Sequence, residues 1–309
     1  MTIALRMRKS PQVSIIIATL ASADRSEQLQ RAIGSALSSA ANGRVKILVC
    51  VNGSRWDAET VSMIQRNPIV TVHHLAEASL PKALATGRCA VETEFFGFLD
   101  DDDELLPGSI DARLAVLRAN PGYDLVATNG IRRTCNGEEP MFKHLATVPA
   151  DPLVALFNEN WLASCGALFR STSVSRAYFD DYHDYAEWTW LAYCLCLNKR
   201  RVAVVDEPMF IVNETIGSRS KSIAYQNSYL ALYLRMLTNP LPPNIFRIVR
   251  GRLASALHDS SVDSLSRGEI WSATKLHLRS LALPGGMRFA SYSRHIALAA
   301  ISAGRRRSD

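Results

Sequence analysis

Two patterns of apolar and polar positions alternate along the first two hundred residues. VSIIIATL (Val13 to Leu20) is a continuous run rich in β-branched residues and of strand length, which suits a strand covered on both faces. Behind it Leu29, Ile33 and Leu37 recur every four residues, as on one face of a helix, with Asp24 placed to cap that helix. The pair of patterns then repeats: VKILVCV leads to Asn52 and the amphipathic DAETVSMIQRN, and IVTVHHL leads to a helical stretch over 81–91, followed by FFGFL. Strands and helices alternating at this spacing predict βαβ units and a mostly parallel sheet, an α/β fold. DLVATNGIRR predicts a further strand, Trp188, Leu191 and Leu195 share one helix face, and VAVVDEPMFIV predicts a last strand. Residues 140–160 look irregular, and from Tyr225 onward the pattern is helical with breaks at 239–243 and 284–286.

Composition adds little to this picture, but charge adds something. With 309 residues, 48% hydrophobic and 21% charged, the chain has the make-up of an ordinary globular protein and the length for one large domain with an appendage, which excludes a disordered chain. The net charge of +6 is unevenly spread, since residues 241–309 hold eleven Lys or Arg against four Asp or Glu. A basic tail beside a near-neutral body predicts an anionic surface as partner, membrane lipid headgroups first, and no nucleic acid. The six cysteines form no CxxC pair and are expected to be buried thiols in a reducing compartment. MTIALRMRKSPQ lacks an apolar core and a cleavage pattern, and no run of ~18 apolar residues follows, so a cytoplasmic location is expected.

Chemistry concentrates in FFGFLDDDDELLP. Two carboxylates about 5 Å apart repel by ~0.8 kcal/mol in bulk water and by more at a protein surface, so the run Asp100 to Asp103 is costly unless a cation or solvent relieves it. It follows a predicted strand directly, and open parallel sheets bind ligands at the carboxyl ends of their strands. While the backbone stays extended, Asp100 and Asp102 point to one side. Position and spacing favour a shared cationic ligand over a solvated acidic turn. Further on, the small residues Ser164 to Ala167 permit either a close substrate approach or a tight turn, and Glu187 falls in a first helical turn, where the helix dipole favours a carboxylate.

Taken in order, VSIIIATL with its helix, VKILVCVNGS, EFFGFLDDDDELLPGSI, NWLASCGALFRSTSV, the AEWTW helix and VAVVDEPMFIVNETIGSRSKS resemble the family 2 glycosyltransferases over roughly residues 12–222. The resemblance implies a GT-A, Rossmann-like domain over 1–222 and a basic helical appendage over 223–309. It implies that Ala18, Thr19 and Asn52 lie at the nucleotide, with Asp101 on the donor. Asp100 and Asp102 would be the DxD pair that takes Mn2+ or Mg2+, with Asp102 the direct ligand and Asp103 in support. Glu187 would be the catalytic base of an inverting transfer, with Asp184 and Asp181 as alternatives. The donor is expected to be a nucleotide sugar, a UDP-sugar first, and the acceptor a saccharide or a lipid-linked hydroxyl.

Departures from the family pattern are also legible. Val51 and Asn52 stand where an acid is common, Leu84 and Ala85 replace an Arg-Asn pair, and a frequent His after the last strand is absent, leaving Arg219 or Lys221 to meet phosphate. These losses keep open a catalytically silent domain that binds a sugar nucleotide or a partner protein. A phosphatase built on the aspartate run lacks its later motifs, and a nucleotidyltransferase would need a glycine-rich loop that ATLASADRS does not supply. Finally, GMRFASYSRHIALAAISAGRRR is expected to form a basic amphipathic helix at a membrane interface, making the protein peripheral at the inner face.

Overall fold

The long apolar runs form the strands they predict. The computed structural model describes residues 11–41, 43–214 and 223–305, so Arg219 and Lys221 lie outside the described residues. Its first half runs β1 (Val13–Thr19), α1 (Ser26–Ser38), β2 (Val45–Asn52), α2 (Ala58–Gln65), β3 (Val70–Leu75), α3 (Leu80–Cys89) and β4 (Phe95–Asp100). β5 (Glu104–Leu105), α4 (Ser109–Ala119), β6 (Leu125–Thr134), β7 (Gly137–Pro140), α5 (Pro152–Asn158) and β8 (Ala167–Arg170) follow. Then come α6 (Ala177–Asp180), α7 (Glu187–Leu197) and β9 (Val202–Asn213), and last α8 (Ile223–Met236), α9 (Pro243–Ser266), α10 (Ile270–Leu281) and α11 (Ser293–Arg305).

One sheet holds the strands in the order β3-β2-β1-β4-β8-β6-β9-β5, with β7 on β6. Its longest ladders, β1 with β2 and β4, β2 with β3, and β6 with β9, are parallel, while the antiparallel ladders around β5, β7 and β8 are short. The parallel ladders explain the unbroken apolar runs: β1 and β4 are covered on both faces, and Ile15, Ile16, Ile17, Phe95 and Phe96 are fully buried.

Several sequence expectations are corrected. Asp24 does not cap α1; it sits in a 3-10 turn over Ala23–Arg25, and the residue before α1 is Arg25. The segment 140–160 contains a 3-10 turn at Leu145–Thr147 and α5, whose first turn Asp151 caps through Val154 N–H at 3.0 Å. Of the cysteines only Cys50 and Cys165 are buried; Cys89 and Cys135 are exposed.

The described chain divides into two compact units. One comprises the described residues of 1–183 and 187–216, and the other those of 184–186 and 217–309. Within the second, α9 buries Val249, Leu253 and Leu257. Two buried serines tie α9 to α10: Ser261 donates to Ala273 O and Ser280 to Ala254 O, each at 2.7 Å. His258 stacks on Phe289 with ring centroids 4.0 Å apart. Among the described residues, no helix is long and apolar enough to cross a membrane.

Candidate active site

Parallel pairing aligns the carboxyl ends of three strands. Ala18 lies opposite Cys50 on one side and Asp100 on the other, so the ends of β1, β2 and β4 share one edge. Asp100 is the last residue of β4, and the chain turns at once, with Asp103 N–H donating to Asp100 O at 3.2 Å. The acids therefore do not form an extended strand. Asp100 and Asp102 are still the half-buried pair, while Asp101 and Asp103 are buried, but the turn sets this division.

Each aspartate meets a different neighbour. Asp101 accepts from Thr19 Oγ1 at 2.5 Å, from Arg25 Nε at 3.1 Å, and from Arg25 Nη2. Thr19 Oγ1 in turn accepts Ala21 N–H at 2.9 Å. The Arg25 guanidinium also reaches Asp102 Oδ2 at 3.1 Å, and its hydrogen bond with Asp101 raises its own pKa further. Asp100 accepts from Ser164 Oγ at 2.7 Å; burial pushes its carboxyl up to about 6, helped by the charges of Asp102, Asp101 and Glu187. Asp103 accepts Asn213 N–H at 2.9 Å and faces the Cys165 thiol at 3.8 Å. Burial, followed by the charge of Asp100, pushes its pKa up to about 9, which favours the protonated carboxyl. Arg25 relieves the crowding at Asp101 and Asp102, and the raised pKa of Asp103 relieves it further.

Glu187 opens α7 and is half-buried. It lines a cavity of about 20 Å³ with Pro81, Leu84, Tyr182 and Trp188, and the Trp188 ring packs 5.1 Å from Phe98 of β4. Leu84, standing where the family pattern has a polar pair, is buried in this wall. Asn52 accepts Ser79 N–H at 2.6 Å through Oδ1 and so holds the start of α3. Asp181 and Asp184 are exposed residues of the segment before α7. Ser164 serves Asp100 from a 3-10 turn over Ser164–Gly166, so the small-residue stretch does form a tight turn. An open groove of about 530 Å³ beside β6 and β7 contains none of the residues singled out from the sequence.

Two site residues were missed by sequence reasoning. Arg25 sits immediately after Asp24, where the cap was sought, and its signal was a cation one strand away from four acids. Asn213, at the end of β9, donates its backbone N–H to Asp103 and its amide to Asp102 O at 2.7 Å, clasping the acidic turn from the far side.

Divalent-cation binding can be weighed on this donor set. Among the described residues, no three His, Cys, Asp or Glu side chains group to hold a metal ion. An all-protein cage is therefore not what these acids form. Carboxylate oxygens suit a hard cation that takes one or two protein ligands and completes its shell with phosphates and water, and the half-buried Asp102, already paired with Arg25, and Asp100 would be the pair to reach it.

Residues 11–150 match the family model described as glycosyltransferase like family 2. Over that span, a little under half of its length, the chain is similar to the family 2 glycosyltransferases. No curated protein matches the chain significantly. Among solved structures, S. aureus TarS 1-349 in complex with UDP-GlcNAc superposes with a TM-score of 0.63 at 14% identity, covering 92% of each chain. The same fragment in complex with UDP gives 0.56 at 14% identity over 84% of this chain and 75% of that one. Longer TarS gives 0.57 at 15% identity over 93% of this chain and 53% of that one. These likenesses show the GT-A fold, and the strand-end edge of its sheet carries the acids described above.

Proposed function

We propose that this protein is an inverting, metal-dependent glycosyltransferase of the hexosyl-transferring kind, moving a sugar from a nucleotide donor to a hydroxyl of a saccharide or lipid-linked acceptor in surface polysaccharide or glycolipid assembly. The observation that carries the reading is an acidic turn at the end of β4, within the span similar to family 2 glycosyltransferases, with Glu187 opening a helix whose next residue, Trp188, packs 5.1 Å from Phe98 of the same strand. The UDP-GlcNAc and UDP named with TarS support a UDP-sugar donor.

Glu187 takes the proton of the acceptor hydroxyl as that oxygen bonds to the anomeric carbon. The bond from that carbon to the diphosphate oxygen breaks, its electron pair leaves with the nucleoside diphosphate, and a single displacement inverts the centre. Asp102, with Asp100, would hold Mn2+ or Mg2+, which when bound neutralises charge on the departing diphosphate. Ala18, Thr19 and Asn52 line the strand ends where the nucleotide would lie, and Arg25 and Asn213 keep the acidic turn in place.

A second reading, a silent sugar-nucleotide-binding domain, is favoured by one observation: Arg25 already neutralises Asp101 and Asp102. Turnover of several nucleotide sugars, with and without Mn2+, separates the two. Wild type should require the metal, Asp102→Ala should lose turnover, and Glu187→Gln should lose about 10²–10⁴ in kcat while retaining UDP binding in a thermal-shift assay. No metal-dependent turnover with any donor would establish the silent domain.

A further inference from the structure

The second unit exposes large apolar side chains that its own packing does not use. On α10, Ala273, His277 and Ser280 are buried. The opposite stripe carries Trp271, 88% exposed, and Leu278, 60% exposed, two turns apart with the exposed Lys275 between them and Arg279 alongside. The next segment repeats the arrangement, with Met287 68% exposed beside the exposed Arg288. α11 repeats it again: Ile296 is buried, while Leu298 and Ile301 are each 55% exposed and Arg294 lies one turn before Leu298. From Ile270 to Arg305 the chain contains no Asp and no Glu.

Apolar side chains interleaved only with cations select among possible covers. A second copy would bring the same cations face to face, a like-charge contact that opposes association. Nucleic acid would satisfy the cations but offers nothing to Leu278, Met287, Leu298 and Ile301, which have no aromatic ring for a base to stack on. An anionic bilayer surface satisfies both, with acyl chains for the aliphatic groups, the headgroup boundary for the Trp271 indole, and lipid phosphates for Lys and Arg. We infer that α10, with the apolar residues that follow it, docks this protein on an anionic membrane surface without spanning it. The sequence pointed to the last helix alone; the exposure of Trp271 makes α10 the leading element. The inference rests on the second unit and not on the assignment of the acids, and it would place the enzyme beside a lipid-linked acceptor.

The full chain would be tested by cosedimentation with vesicles of phosphatidylcholine alone and of phosphatidylcholine mixed with phosphatidylglycerol. Binding only to the anionic vesicles, weakened by salt and accompanied by a blue shift of tryptophan emission, is expected. The pair Trp271→Ser with Leu278→Ser and the pair Lys275→Gln with Arg279→Gln should each weaken partitioning about tenfold or more. All four positions are exposed, so the variants should keep the wild-type circular dichroism, and turnover with a soluble acceptor should be unchanged. Failure of wild type to bind the anionic vesicles, or equal binding by the variants, would overturn the proposal. So would concentration-dependent self-association, or duplex DNA binding, that the same substitutions remove.

Discussion

A carboxylate taken out of water, as Asp101 is, costs several kcal/mol unless a cation replaces the lost solvation, and Arg25 supplies that cation through Nε and Nη2. Because Arg25 keeps 29% of its side chain exposed while Asp101 keeps 8%, solvent screens one partner more than the other and lowers the worth of the pair. Arg25→Gln should still destabilise by about 1–3 kcal/mol, the usual cost of leaving a buried acceptor short of its donor. Urea unfolding of the two proteins side by side measures this. At this scale the sequence was informative about charge and poor at assigning partners. The four acids are conspicuous as a run, yet which of them is buried depends on Thr19, Ser164, Cys165 and Asn213, four residues spread from β1 to β9. No local pattern contains that information, and a polar residue at a strand end looks the same whether it faces solvent or an aspartate.

Among the elements, α3 shows how tightly the parallel layer is built. A methyl group on Gly87 would come within 2.3 Å of Ile16 Cγ2 and 3.1 Å of Cys50 Sγ. Ile16 is fully buried and stiff at χ1, so it cannot swing aside. Ala gains about 1 kcal/mol over Gly in helix propensity, while overpacking costs about 1–3 kcal/mol, so the clash should prevail. Gly87→Ala is expected to lower stability. Gly34→Ala in α1, where the added methyl meets nothing within 4 Å, should raise it by about 0.5–1 kcal/mol. Melting temperatures of the pair, moving in opposite directions, check both. The strands that could be foreseen are those whose burial on both faces writes a continuous apolar run. β5 is two residues long and β7 is wholly exposed, so neither writes one, and both exist because a neighbouring strand sets their register. α4 was concealed differently: Arg113 faces its core side, 1% exposed, donating to Thr128 Oγ1 and Cys165 O, and so interrupts the apolar face.

At the scale of the whole molecule, the second unit should respond to acid. In the second, burial lowers the pKa of both His258 and His277 from the ordinary 6.5; around His258 the charges of His277 and Arg288 lower it further and Asp259 opposes them. His277 is 2% exposed and bonds Ser293 Oγ at 2.9 Å. A base whose folded pKa is depressed stabilises the fold above its unfolded pKa. That contribution is lost as pH falls from about 6.5 through the lower folded value. Unfolding of this unit, followed by amide hydrogen exchange at the buried Val249, Leu253 and Leu257, should therefore need less urea near pH 5 than near pH 7.5, and His277→Gln should flatten the difference. The fold class and the family resemblance were legible because β1, β2 and β4 and the acid run occur in a fixed order. The exposed stripe of α10 was not legible, because only packing reveals which face of a helix is left over.

β1 has a hydrogen-bonded neighbour on each edge along nearly its whole length, β2 on one and β4 on the other. Its amide protons can trade with deuterated solvent only when the sheet itself opens, whereas those at the sparsely paired β5 and the bare β7 escape through local fraying. Isotope uptake at Ile15 to Ile17 therefore reads the opening free energy of the sheet, and any molecule that settles on the neighbouring strand ends will announce itself there as slower uptake.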